Sequence, residues 1–258
     1  MDGGGQGSSD SHASYVLPRH PTEVDRLDVQ HYALREALDA NYLAPVRSPT
    51  VVLDAGTGTG QWAYEVCREF PEATVIGLDL VPGKAGSPPN YRGVRGNLLQ
   101  GLPLRDDLID FVHQRFLFSG VPVKSWPDVV TDLVRVARPG GWVELVEGAT
   151  ELQPTSPATE RLAELFRTLN TSMGLDSTGV VFKSLDGYLK GAGMSEVERH
   201  TVALPVGEWG GRIGSMMASD FRALFTRLAP VFQVKFGVSA DWAYRFPHEQ
   251  VWKLKKRA

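Results

Sequence analysis

The chain has 258 residues, enough for one large domain with a sizeable core, and its formal net charge is -3. That near balance excludes the basic field of a nucleic-acid binder, and no apolar run approaches the ~20 residues needed to span a bilayer. The single cysteine, Cys67, excludes an internal disulfide and a cysteine-based zinc cluster and fits a reducing compartment.

The opening MDGGGQGSSDSHAS lacks the positive-then-apolar layout of a secretory signal. Residues 1–14 are therefore expected as a disordered leader on a soluble, cytoplasmic protein. Leu27, Leu34 and Leu38 recur at helical spacing and predict a helix over 24–41. Val51 to Leu53 form an unbroken apolar run, as in a central parallel strand covered on both faces. Trp62, Ala63, Val66 and Cys67 then mark one face of a helix at 60–69, where Cys67 reads as a small buried thiol. Further strands are predicted at Ala73 to Leu78, Tyr91 to Gly96, Ile109 to His113 and Trp142 to Val146, with helical material at 125–138. Strands alternating with helices imply right-handed crossovers and an open parallel sheet, with ligands beyond the carboxyl ends of the strands.

After Gly148 the rhythm changes. Ser156 and Pro157 read as N-cap and first residue of a helix carrying Leu162, Leu165, Phe166, Leu169 and Met173, stopped by Gly174. A second such helix, with Met217, Phe221, Leu224, Phe225 and Leu228, is expected to run up to Pro230. Between them lie a further helix, a turn at Gly191 to Gly193 and a strand ending at Pro205. Segments 150–182 and 206–246 read as insertions forming a cap, with two ordinary packing helices as the alternative. The closing KLKKRA reads as a solvated end.

The stretch VVLDAGTGTGQWA carries the chemistry. A glycine turn between a strand and a helix lets a ligand approach the backbone, where a β-carbon would collide with it. Gly56, Gly58 and Gly60 fit the dinucleotide fingerprint poorly, since its third glycine would fall on Gln61. Asp54 at the strand end would repel a pyrophosphate and welcome a cation, while Asp79, closing the second strand, can accept both hydroxyls of a ribose. A charged ammonium plus a free ribose describes S-adenosylmethionine (SAM).

D-x-G-x-G-x-G followed by the strand-two aspartate resembles class I SAM-dependent methyltransferases. YVLPRHPTEVDRLDVQH, PNYRGVRGN, DFVHQR and RPGGWVELVEG resemble the branch that includes the fungal secondary-metabolism regulator LaeA. The match covers about residues 15–150, with a weaker echo at 204–210. The resemblance implies a Rossmann-like, doubly wound α/β fold on a mostly parallel seven-stranded sheet. It implies one domain over 15–258, with an N-terminal helical lid at 15–45 and a SAM-binding core at 50–150. By the same resemblance Asp54, Ala55, Gly56, Thr57, Gly58 and Gly60 border the methionine part, Asp79 the ribose and Leu80 the adenine. Asn97 and Leu98 stand where Asp and an apolar residue usually contact adenine, and an amide there accepts without charge assistance. Gln114 and Arg115 would flank the methionine tail, with Arg115 on its carboxylate, and Tyr15 and Gln30 would belong to the lid. Each has a plainer alternative: Asp54 as a helix cap, Asp79 in a turn, Arg115 in a surface ion pair.

Methyl transfer from a sulfonium is an in-line displacement, so alignment and exclusion of water are the main demands. A base is needed only for a protonated acceptor, and the candidates are Glu147 beyond strand five, His113 closing strand four, and His31 on the N-terminal helix. Both histidines also read as buried structural residues. Trp142, Phe166, Met173, Trp209, Met216 and Met217 suggest an apolar, bulky small-molecule acceptor, with a secondary metabolite as the leading class. A homodimer is compatible with the sequence, and the six histidines show no close metal-ligand spacing. The competing readings are a LaeA-type regulator working through a partner, a cyclase reusing the fold, and an NAD dehydrogenase, the last opposed by Asp54 and Gln61.

Overall fold

The computed structural model describes residues 21–81, 86–153, 156–238 and 250–257. The expected leader at 1–14, Tyr15, and the end of the second expected insertion, 239–246, lie outside the described residues.

Helix α1 (Pro21–Leu38) leads into β1 (Val51–Ala55), α2 (Gln61–Glu69), β2 (Thr74–Asp79) and β3 (Tyr91–Arg95). There follow β4 (Ile109–Arg115), α3 (Trp126–Val136), β5 (Ala137–Gln153), α4 (Pro157–Ser172) and α5 (Val180–Gly191). The described chain closes with β6 (Arg199–Val206), α6 (Gly211–Phe236) and β7 (Gln250–Arg257). The strands form one seven-stranded sheet in the order β3-β2-β1-β4-β5-β7-β6. Pairings are parallel from β3 through β5, and β7 runs antiparallel to both β5 and β6. The strand order reverses between β1 and β4, the switch point where open α/β sheets form their ligand crevice beyond the carboxyl ends of the strands.

Both faces of the sheet are covered, which is why β1 is apolar along most of its length. On the α2 face, Val52, Val75 and Phe111 pack with Trp62, Ala63, Val66 and Cys67. Burial pushes the Cys67 thiol up to about 11, as befits an inert core sulfur. On the other face, Leu53, Leu78, Val112 and Leu145 join Trp126, Val130 and Leu133 of α3. Leu162 and Leu169 of α4 and Met217, Phe221 and Phe225 of α6 belong to that same cluster. Each fully buried side chain of this size contributes about 1.5–3 kcal/mol over its exposed state.

Two expectations are corrected. The tail KLKKRA, expected as an end outside the sheet, has Lys253 to Arg257 in β7, inserted between β5 and β6 with Leu254 opposite Gly148 and Val202. Nor does the last long helix stop at Pro230, which sits inside α6. An internal proline removes one helical hydrogen bond at a cost of about 3 kcal/mol. Buried Phe225, Leu228, Ala229 and Phe232, on either side of it, anchor the helix across the break.

Candidate functional site

The glycine turn is built by backbone conformation first. Gly56, Gly58 and Gly60 have φ of 78, 56 and 83°, a left-handed region that costs other residues energy. The turn folds over the end of β2, where the Leu78 carbonyl accepts from the N–H groups of Gly56 and Thr57 at 2.8 and 3.0 Å. A side chain on Gly56 would also collide with Leu117, whose Cδ2 would lie 2.7 Å from the added carbon. Gly58 is exposed, and its N–H donates to Asp79 Oδ2 at 3.0 Å. Asp79 is half-buried at the strand end beside exposed Leu80.

Asp54 is not presented to solvent. It is 4% exposed, its Oδ2 accepts from Thr57 Oγ1 at 2.7 Å, and its Oδ1 lies 3.0 Å from His113 Nδ1. The His113 ring lies flat on Trp62, with centroids 3.7 Å apart and planes 5° apart. Burial lowers the His113 pKa in spite of Asp54, so the neutral ring donates from Nδ1. In the next strand Glu144 stands opposite His113, and its Oε2 accepts from the N–H groups of Leu43 and Ala44 at 2.8 Å each. Asp54, His113 and Glu144 thus form a buried polar row across three strands. Its Asp54–His113 pair fixes the end of β1, and Glu144 ties the segment after α1 to the sheet.

Helix α1 crosses the turn. Leu27 lies next to Gly58, the Thr59 hydroxyl donates to Asp28 at 2.6 Å, and Gln61 Nε2 donates to the Tyr32 hydroxyl at 2.7 Å. Gln30 is turned toward α6, donating to Asp220 Oδ2 at 3.2 Å beside the buried Arg26–Asp220 ion pair at 2.6 Å. His31 is 1% exposed; its Nδ1 accepts from Arg115 Nη2 at 3.3 Å, and its Nε2 lies 3.3 Å from Glu65. Burial first, then the charges of Arg115 and Arg35, lowers its pKa to about 3.

At the end of β4 the chain turns sharply. Arg115 is half-buried, and among the described residues its guanidinium hydrogen-bonds His31 and has no carboxylate within ion-pair distance. Burial lowers its pKa against the pull of Asp54, Glu144 and Glu65. Phe116 follows with φ of 56°. Glu147, expected at the acceptor mouth, lies inside at 0% exposure. Its Oε1 accepts from Gln114 Nε2 at 2.5 Å and Leu117 N at 2.7 Å, and its Oε2 from Phe118 N at 3.2 Å. Burial pushes its pKa up to about 8, opposed by those three donors. Asn97 caps a short turn, its Oδ1 accepting from Leu99 N at 3.0 Å, with Leu98 half-buried beside it.

The six aromatic and thioether residues expected around an acceptor do not share one wall. Trp142 packs on the α2 face of the sheet, whereas Phe166, Met173, Met216 and Met217 belong to the opposite cluster and Trp209 is 51% exposed. Sequence reasoning missed Glu144, Asp28 and Asp220. Of these only Glu144 gave a signal, a carboxylate inside an otherwise apolar strand. Among the described residues no group of acidic, histidine and cysteine side chains could hold a metal, and no helix is long and apolar enough to cross a membrane.

Residues 52–141 match the model described as "Methyltransferase domain". Methyltransferase PytC of Aspergillus terreus is 30% identical over 76% of this chain and 62% of its own length. Methyltransferase Str2 of Strobilurus tenacellus is 30% identical over 74% of this chain and 71% of its own. The secondary metabolism regulator LaeA of Aspergillus fumigatus is 31% identical over 76% of this chain and 54% of its own. The chain thus spans less than two thirds of PytC and about half of LaeA. The solved phosphoethanolamine N-methyltransferase 2 of Haemonchus contortus, in complex with S-adenosylhomocysteine, shares the fold at TM-score 0.52 and 14% identity, over 90% of this chain and 57% of that one. The crevice above β1, its three left-handed glycines and the acid closing β2 therefore sit in a chain that belongs to the class I SAM-dependent methyltransferase family, in the branch shared with LaeA, PytC and Str2.

Proposed function

We propose that the protein transfers a methyl group from SAM to a small-molecule acceptor, with a secondary metabolite as the acceptor class. The observation that carries this reading is the convergence of three features on one crevice. These are a left-handed glycine turn with exposed Gly58, the half-buried Asp79 carboxylate, and an Arg115 guanidinium with no carboxylate partner among the described residues. Two of them suit polar parts of SAM, and the turn lets the ligand approach the backbone. Asp79 would hold the ribose hydroxyls, Leu80 and Leu98 would flank the adenine, with Asn97 accepting from its amino group, and Arg115 would take the carboxylate. When bound, SAM supplies a sulfonium whose methyl group is open to in-line attack.

The chain's own task is alignment and exclusion of water. Helix α1, tied to the turn by Asp28 and Tyr32 and to α6 by Arg26 and Gln30, covers the crevice from one side. His31, His113 and Glu147, each at most 1% exposed, serve in this reading as holders of the strand ends. The acceptor then either arrives deprotonated or loses its proton to solvent. The similarity to LaeA, named a secondary metabolism regulator, favours an acceptor from secondary metabolism.

The test is incubation with methyl-labelled SAM and candidate metabolites from the same gene neighbourhood, following label transfer and S-adenosylhomocysteine. Label in an organic product is expected. Tight SAM binding with no S-adenosylhomocysteine formed across all acceptors would overturn transfer in favour of a non-catalytic SAM protein.

A further inference from the structure

The turn that follows β4 is held in an unfavourable shape by a buried carboxylate. Phe116 is not glycine, yet its φ is 56°. Such a conformation persists only where its surroundings over-determine it. Here the surroundings are explicit. Phe116 N donates to the Val146 carbonyl at 2.9 Å, and the next two amides, Leu117 and Phe118, both donate to Glu147. Gln114, just before the bend, donates to the same carboxylate. One side chain at 0% exposure thus gathers donors from three of the five residues between 114 and 118.

The bend has consequences at the crevice. It places the Leu117 side chain in the space that a side chain at Gly56 would fill. It also leaves Phe116, half-buried, immediately after Arg115 at the carboxyl end of β4, where ligands of an open α/β sheet bind. Without the carboxylate, the amides of Leu117 and Phe118 would be left without their acceptors, and the left-handed Phe116 would relax toward ordinary φ.

We propose that Glu147 is a positioning residue that locks the turn Phe116–Phe118 in its left-handed form, so that Phe116 and Leu117 form the acceptor-side wall of the crevice. The proposal rests on the methyl-transfer reading for its catalytic consequence only; the lock itself is a property of the fold.

The test compares the parent with Glu147→Met, which keeps the volume and removes the acceptors, and with Glu147→Gln, which keeps one carbonyl acceptor. Amide hydrogen exchange, SAM affinity by calorimetry, and kcat/KM for a methylated acceptor are measured on each full-length protein. In Glu147→Met the Leu117 and Phe118 amides are expected to exchange at least about tenfold faster, the equivalent of a lost buried hydrogen bond. Leu53 and Val112 should stay protected, which shows that the sheet is intact. Acceptor kcat/KM should fall at least about tenfold and SAM affinity by less than about threefold, with Glu147→Gln between variant and parent on every readout. Parental exchange at 117 and 118 in Glu147→Met overturns the lock. Fast exchange with parental kcat/KM overturns the role of the turn in catalysis. Fast exchange in Glu147→Met, beside a slow-exchanging parent that methylates nothing, upholds the lock and overturns the methyl-transfer reading instead.

Discussion

The Asp54 carboxylate lies 3.0 Å from Nδ1 of His113, its register partner on the neighbouring strand. Both are nearly inaccessible, and the imidazole is clamped flat against Trp62. Replacing His113 with leucine keeps bulk beside the indole but leaves an Asp54 oxygen without its donor. A stability loss of about 1–3 kcal/mol is expected, read from the urea midpoint. An unchanged midpoint would show that the pair contributes nothing.

Asp79 carries the cofactor prediction. Asp79→Ala should weaken SAM binding by about 1–3 kcal/mol through lost charge-assisted hydrogen bonds, measured by calorimetry. Its carboxylate accepts from Gly58 N, so the turn should loosen slightly as well. Parental SAM affinity in this variant would refute the assignment of β1 and β2 ends as the cofactor site.

Gly58 separates conformational from steric demand. An added side-chain carbon there would meet nothing nearer than Leu27 Cδ1 at 3.6 Å, so space is not the obstacle. Its φ of 56° is, and Gly58→Ala should lose about 1–2 kcal/mol of stability. Thermal unfolding of parent and variant measures it, and equal melting temperatures would mean that the turn relaxes without cost.

Two buried groups give opposite pH dependences. His31 is held near 3 in the fold against an ordinary 6.5, so between these values the unfolded chain binds a proton that the native one does not. Its contribution is lost as pH falls through that window, by at most about 1.4 kcal/mol per pH unit. Glu147 is raised from 4.5 to about 8, so the native state holds the extra proton and stability falls as pH rises across that range. Urea unfolding of parent, His31→Gln and Glu147→Gln from pH 5 to 8.5 tests both. The His31 variant should differ from the parent with a slope only below about 6.5, and the Glu147 variant with the opposite slope up to about 8. Parallel curves would rule out both shifts.

Asp220 ties α1 to α6 through Arg26 and Gln30. Asp220→Ala leaves the Arg26 charge, 6% exposed in the parent, without that partner and should cost about 3–5 kcal/mol. Faster amide exchange in α1 than in β1 is the specific signature of this variant. Uniform acceleration across the chain would show that the pair serves overall stability only.

Sequence was informative wherever a local signal coincided with a strand end. The apolar run Val51–Leu53 and the alternate glycines located β1 and the left-handed turn after it, and Asp79 marked the end of β2. The Ser156 and Pro157 start signals placed α4, since a cap is chemistry within one turn. The strand at Gln250–Arg257 escaped because its basic composition says nothing about which backbone groups pair with it. Pro230 misled for a related reason: the buried flanks Phe225 and Phe232 hold a helix across a break that local preference forbids.

The spacing of glycines and acids along the chain determined by itself where the backbone bends after β1 and which strand ends carry carboxylates, since left-handed bends and strand-end acids are encoded residue by residue. Only the tertiary structure decided what each acid does there. Asp54 is turned inward to His113, Glu147 to the turn after β4, and Asp79 alone of the three remains at the half-open rim. Partners 33 to 59 positions apart in the chain, such as Gln114 with Glu147 and Asp54 with His113, meet through the register of the sheet. That register follows from how the two packed faces settle against each other, a global balance that no single stretch of sequence contains.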